Sequence, residues 1–269
     1  MDAAFFCFFV TMNKLAKLLL LFVFGASIFT LQSCSEETSD PEPTKTISCQ
    51  LTGIGETSDG SSYNSTFTYN TDGLLTQRQD PDGATDFIYK DGKLTSLTFD
   101  ESVGVITYDG NDLPYKIEFE EDGEKFYFIL KSKNGRYVTL ESHEVSNGND
   151  VIVDVTNITY NSDGNVTKVI NQEYDADKDV FNLSYSITNI TTDNKKNPYL
   201  LSPSLLIFEL LGGDEANLGI NNVVTATYNY GSFVDVSNSY IYNDQDYPTK
   251  RDEIGFSSPT IFNFAYDCK

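Results

Sequence analysis

A chain of 269 residues with 40 Asp and Glu against 18 Lys and Arg carries a formal net charge of −22 and a single histidine. A phosphate backbone would be repelled, which excludes nucleic acid as a partner, and His143 alone leaves no histidine cluster for a transition metal. With 39% apolar residues the chain is too hydrophobic to be disordered, and it is long enough for one substantial core.

Residues 12–34 read MNKLAKLLLLFVFGASIFTLQSC. Lys14 and Lys17 form a basic start, Leu18 to Phe24 an apolar run, and Leu31-Gln32-Ser33-Cys34 a small-residue exit, the three parts of a secretory signal. Asp2 and a Phe-rich patch precede Met12 and suit no basic start, so translation is expected to begin at Met12. The apolar stretch is short of the roughly 20 residues a spanning helix needs. Leu-Gln-Ser-Cys resembles the lipobox of bacterial lipoproteins, with Gln32 an unusual occupant. That resemblance implies removal of residues 1–33 and lipid attachment at Cys34; cleavage nearby, leaving a plain thiol, is the competing reading. Glu36, Glu37 and Asp40 follow at once, and Pro41-Glu42-Pro43 stiffens the chain, so residues 34–45 read as a lipidated acidic tether. The stretch resembles the acidic export signal of Bacteroidetes lipoproteins displayed on the outer face of the outer membrane. Its competitor is a tether that is acidic only to stay soluble.

Residues 46–269 read as a single antiparallel β domain. Tyr69-Asn-Thr-Asp72-Gly73-Leu-Leu75-Thr76 aligns with Tyr160-Asn-Ser-Asp163-Gly164-Asn-Val166-Thr167, and Tyr89-Lys-Asp91-Gly92-Lys-Leu94-Thr95 is the same unit with one turn residue fewer. Tyr108-Asp-Gly-Asn-Asp112-Leu-Pro114 aligns with Tyr242-Asn-Asp-Gln-Asp246-Tyr-Pro248. Asp-Gly supplies the positive φ of a tight hairpin or a bulged turn, and further turns fall at Asp122-Gly123, Asn134-Gly135 and Asn147-Gly148. Between turns, stretches such as Phe87-Ile-Tyr89 and Val151-Ile-Val153-Asp-Val155 alternate apolar and polar residues, one face buried and one wet. About fifteen short strands follow from this spacing, far beyond a small sandwich.

Asp175, Asp177 and Asp179 alternate like the first oxygens of a calcium loop, but the sixth position lacks Gly and Ser186 stands where the twelfth needs Glu. An acidic hairpin tip is the preferred reading. One segment breaks the strand pattern, a buried helix over about residues 199–211. Ser202 is its N-cap, Pro203 its first residue and Gly212-Gly213 its stop, and its all-round apolarity places it against the sheet as a plug. Cys49 and Cys268 bracket the domain; they are either a disulfide joining first and last strands or two reduced thiols.

No catalytic residue is assigned and no cofactor is expected. Ser142-His143-Glu144 are neighbours on a strand, pointing to alternate faces, and cannot form a triad. No nucleophile elbow, Walker A or dinucleotide fingerprint occurs. Carboxylates are so numerous that any pair could be nominated for glycoside hydrolysis. Of the seventeen tyrosines, the repeated ones at strand ends are expected to be mostly structural, since Tyr suits half-buried strand positions; exposed Tyr stacking on sugars or contacting another protein is the competing reading. A cavity ringed by phenols and converging acids would argue against that.

The Tyr/Asp-Gly units followed by Leu-Thr or Val-Thr resemble the YD repeats of Rhs-type wall proteins. Together with Cys34, the late Asn197-Pro198-Tyr199 helix and the closing Tyr247-Pro248-Thr249-Lys250 hairpin, they resemble an uncharacterised family of Bacteroidetes lipoproteins with a porin-like fold. The resemblance implies a fold and a location, and no activity. The combined expectation is all-β: one large antiparallel meander curled into a barrel-like or half-barrel sheet, monomeric, held to the outer membrane by its lipid and possessing polar strand faces unsuited to lipid. Its function would be non-enzymatic, as a structural accessory or a binder of a glycan or protein; a glycan-processing hydrolase is the alternative.

Overall fold

A computed structural model describes residues 48–269 apart from 100, 101, 122 and 147. The signal, Cys34 and the tether lie outside the described residues. Among those described, sixteen strands form one closed antiparallel barrel in which each strand pairs with its sequence neighbours and the last returns to the first. The first eight are β1 (Cys49–Ser58), β2 (Ser61–Tyr69), β3 (Leu75–Asp80), β4 (Gly83–Lys90), β5 (Lys93–Phe99), β6 (Ser102–Tyr108), β7 (Pro114–Glu121) and β8 (Glu124–Lys133). The rest are β9 (Arg136–Ser146), β10 (Asn149–Tyr160), β11 (Val166–Asp175), β12 (Val180–Lys196), β13 (Asn221–Asn229), β14 (Phe233–Tyr242), β15 (Pro248–Ile254) and β16 (Thr260–Cys268). The expected meander is therefore a full barrel, with sixteen strands where the spacing suggested about fifteen.

Two kinds of turn join the strands. Asp59-Gly60, Asp91-Gly92 and Asn134-Gly135 have positive φ at both residues, the two-residue hairpin whose twist matches the strands. The second kind is longer and explains the tyrosine repeat. Asn70, Asp109, Asn161 and Asn243, each directly after a repeat tyrosine, accept backbone N–H groups two or four residues on through the side-chain oxygen, at about 3 Å. The αL position that closes these turns is Gly73, Asp112, Gly164 or Asp246, so the two aligned pairs are one turn.

Beyond the Asx turns and Asp91-Gly92 the register slips by a residue. Thr76, Thr95, Thr167 and Thr249 are the extra residues of β-bulges. Each donates its hydroxyl to the carbonyl just before the tyrosine, at 3.1–3.2 Å. A bulge also leaves a carbonyl without its ladder partner. Tyr69 donates to the Leu51 carbonyl, Tyr108 to Leu94 and Tyr266 to Pro248, each at 2.8 Å. These phenols therefore complete the bulge of the preceding strand, the architectural role expected of them.

Between β12 and β13 the chain folds inward. Asn197 caps a single 3-10 turn, Pro198–Leu201, and ties the far end of the insert through hydrogen bonds to the Asn217 and Gly219 carbonyls at 2.5 and 2.7 Å. Helix α1 (Pro203–Gly212) follows, with Ser202 capping its start through the Ser204 N–H and Gly213 in the αL conformation closing it. Leu205, Ile207 and Leu210 of α1 are almost fully buried in one cluster with Leu51, Phe67, Ile117, Val169 and Ile187 from strands all round the barrel. The helix is the expected plug.

The outward face carries polar pairs. Gln77 meets Asp86, Lys125 meets Glu118, Lys131 meets Glu141, Thr227 meets Asp235 and Lys250 meets Asp252 across or along the strands. Large apolar side chains are exposed as well, among them Ile88 on β4, Val103 and Val105 on β6, Val180 and Leu183 on β12, Ile241 on β14 and Ile254 on β15. A bilayer-spanning barrel needs an apolar belt about 25 Å tall all the way round. In this barrel the outward face mixes those side chains with the polar pairs, and the continuous apolar cluster lies within.

Candidate functional site

The odd-to-even turns and the even-to-odd turns define the two rims. The even-to-odd rim carries the chain ends, where Ser48 and Lys269 exchange backbone hydrogen bonds of 2.9 Å beside the Cys49–Cys268 disulfide. It also holds the Asx turns and the start of α1, whose Ser204 hydroxyl is bonded to Tyr89. A largely apolar cavity of about 380 Å³ lies there, lined by Tyr89, Leu94, Tyr108, Tyr137 and Leu206.

Toward the opposite rim the last turn of α1 ends in a different cavity, of about 410 Å³. Its walls include Glu56 of β1, Tyr63 of β2, Arg78 of β3, Tyr228 of β13, Asn238 of β14 and Arg251 and Glu253 of β15, with Glu209 and Asp214 from the insert. Tyr230, 56% exposed, and Phe256, 41% exposed, stand at the mouth. Gly213 turns the chain so that the Asp214 N–H returns to the Glu209 carbonyl at 3.0 Å, which holds these two acids close in the wall.

Both guanidiniums are stacked and partly paired. Arg78 lies 4.1 Å from the Phe208 ring centre, with its Nε 2.8 Å from Asp80 and Nη2 donating to Ser65 at 3.3 Å. Arg251 lies 3.7 Å from the Phe262 ring centre and 3.7 Å from Glu253, its side chain 11% exposed. Its Nε is buried without a hydrogen-bond partner. Asn238 donates its amide to the Val223 carbonyl at 3.0 Å, but its Oδ1 is also buried and unpartnered. Native structures leave few such atoms, and two on adjoining strands of one cavity call for an explanation.

The acids are poorly compensated. Burial, and then the charge of Asp214, push Glu209 up to about 8 against the pull of Asn217 and the two guanidiniums. Asp214 touches cavity solvent yet is enclosed by protein, and that desolvation raises its pKa; Glu253 is raised for the same reason. Perturbed carboxylates in a concave site mark functional candidates.

The residues singled out from sequence lie elsewhere. Asp175 is held by Lys178 at 2.5 Å and Asn182 at 3.3 Å, whereas Asp179 accepts from Tyr174 at 2.8 Å. Among the described residues no three His, Cys, Asp or Glu form a metal cage. His143 stacks on Tyr127 with ring centres 4.4 Å apart and meets Asp150 at 3.0 Å, while Ser142 and Glu144 flank it in the strand. The sequence does not reveal the cavity, whose Tyr63, Tyr228 and Tyr230 lie outside the repeated Tyr/Asp-Gly units and line it together with acids. One signal was visible, Glu209 standing alone in the apolar run Ile207-Phe208-Glu209-Leu210-Leu211.

The class defined by this geometry is a closed antiparallel β-barrel with an internal helical plug and a charged end cavity. No family model matches the chain, and no curated protein matches it. Among solved structures it is similar to a porin-like protein from Bacteroides uniformis, with a TM-score of 0.50 and 12% identity over 81% of this chain and 96% of that one. A porin-like protein from Bacteroides vulgatus gives a TM-score of 0.47 and 14% identity over 81% and 98% of the two chains. The likeness is one of fold.

Proposed function

We propose that the chain is a lipid-anchored protein of the bacterial outer envelope whose barrel is a binding module, with the charged end cavity as its site. The observation that carries the binding half is the pair of unpartnered buried atoms, Arg251 Nε and Asn238 Oδ1, within a cavity of ligand size. The signal ending in Cys34 and the similarity to Bacteroides barrels support the anchored half. Metabolic labelling with an alkyne fatty acid should tag the wild type and not Cys34→Ala, and the variant should leave the membrane fraction. A wild type that takes up no label ends the anchored half.

Hydrolysis is the second reading, favoured by Glu209, whose pKa near 8 would keep it protonated as a general acid at neutral pH. Release of new reducing ends that stops in Glu209→Gln, with binding retained, would put this reading first.

A further inference from the structure

The walls of the charged cavity restrict what can enter it. Asn238 is opposite Glu253 and Tyr240 opposite Arg251 in the β14–β15 ladder, so the unpartnered acceptor and the unpartnered donor sit on neighbouring strands two positions apart. An occupant that reaches both accepts from Arg251 Nε and donates to Asn238 Oδ1. Charge narrows the choice further. Glu56, Asp214 and Glu253, beside the neutral Glu209, face Arg78 and Arg251, and Arg78 is already tied to Asp80. An anion would satisfy Arg251 but meet an acidic excess and leave Asn238 Oδ1 unpaired. An ammonium, which only donates, would leave Arg251 Nε facing another donor and lie near two guanidiniums. A hydroxyl both donates and accepts and carries no charge.

The mouth adds flat apolar faces. The Tyr228 and Tyr230 rings are 6.1 Å apart and 18° from parallel, Phe256 packs against Tyr228 at 5.2 Å, and Phe233, 75% exposed, begins the next strand. Aromatic faces of this kind suit a ligand with one apolar side and one polar edge. Resting on the binding reading, we infer that the cavity takes the terminal residues of an uncharged oligosaccharide, its hydroxyls on Arg251 Nε and Asn238 Oδ1 and its ring faces on Tyr228, Tyr230 and Phe256.

The test uses the full-length protein in detergent micelles and three sets of probes of equal length. These are neutral hexasaccharides of glucose, mannose and xylose, an anionic hexagalacturonate and a cationic hexaglucosamine, followed by calorimetry and thermal shift. At least one neutral probe should bind, insensitive to added salt. Arg251→Lys, Asn238→Leu and the exposed-rim variant Tyr230→Ala should each weaken it about tenfold or more while the protein stays folded. Neutral binding that survives Arg251→Lys together with Asn238→Leu overturns the assignment. Preference for the cationic or anionic probe overturns the inference of an uncharged ligand and leaves a binding module standing. Silence from all three charge classes removes both.

Discussion

The two rims of this barrel use the same residue type for opposite purposes. At the rim that holds the chain ends, Tyr69, Tyr108 and Tyr266 each give their hydroxyl to a carbonyl freed by a bulge, and Asx side chains tie the turns. At the other rim, Tyr63, Tyr228 and Tyr230 surround space, beside two arginine side chains and several acids with raised pKa. Satisfied polar groups build one rim and unsatisfied ones mark the other. A tyrosine count cannot tell these apart, because the difference lies in whether a carbonyl freed by a bulge comes within reach of the hydroxyl.

The contrast can be broken first at the seam. The Cys49–Cys268 disulfide closes a loop with a sequence separation of 219. Replacing both cysteines by Ser should cost up to about 5 kcal/mol on a chain-entropy account, read as a lower midpoint in guanidinium unfolding. An unchanged midpoint would mean that the strand pairing alone holds the seam.

At the cavity the sign depends on pH. Glu209 is raised to about 8 in the folded protein from an ordinary 4.5, so the folded state binds its proton more tightly than the unfolded chain. Its contribution to stability is whole below pH 4.5 and is lost as the pH rises through 8. Glu209→Gln should remove that fall, which is of the order of a few kcal/mol over the window. Parallel urea curves for the two proteins on either side of the window would show that Glu209 is not held neutral.

A smaller effect sharpens the comparison directly. Tyr69→Phe strips the donor from the Leu51 carbonyl and should cost about 1–2 kcal/mol, whereas Tyr230→Phe should change stability by less than about 0.5 kcal/mol. Equal losses would erase the distinction between the rims. The smallest change is expected outside the barrel, where Lys131→Ala breaks an exposed pair with Glu141 and should stay within about 1 kcal/mol, diminishing further in salt.

Much of the fold was legible because it is written locally. Asp91-Gly92 dictates a two-residue hairpin, Ser202-Pro203 starts a helix and Gly213 ends one, and each needs only its neighbours. The capping role of Asn70 and Asn243 and the bulge role of Thr76 and Thr249 were present in the repeat but emerge only with the register. Closure into a full barrel was not legible, because it depends on β1 meeting β16, and two distant cysteines permit that without requiring it. The cavity was hidden for a related reason. Lys250-Arg251-Asp252-Glu253 reads as a solvated charged strand, yet Lys250 pairs with Asp252 at the barrel surface while Arg251 and Glu253 enter the cavity. Inward charge looks the same as outward charge until the other wall is known.

Joining the first strand to the last has a consequence for how the protein is made. The ring cannot shut until Thr260–Cys268 has been synthesised, so every shorter chain keeps two raw sheet edges. Contacts of such long sequence reach form slowly, and unfinished chains are exposed to aggregation while they wait. The Cys49–Cys268 bond then acts as a receipt: it can form in this geometry only on a molecule that has been completed and has closed.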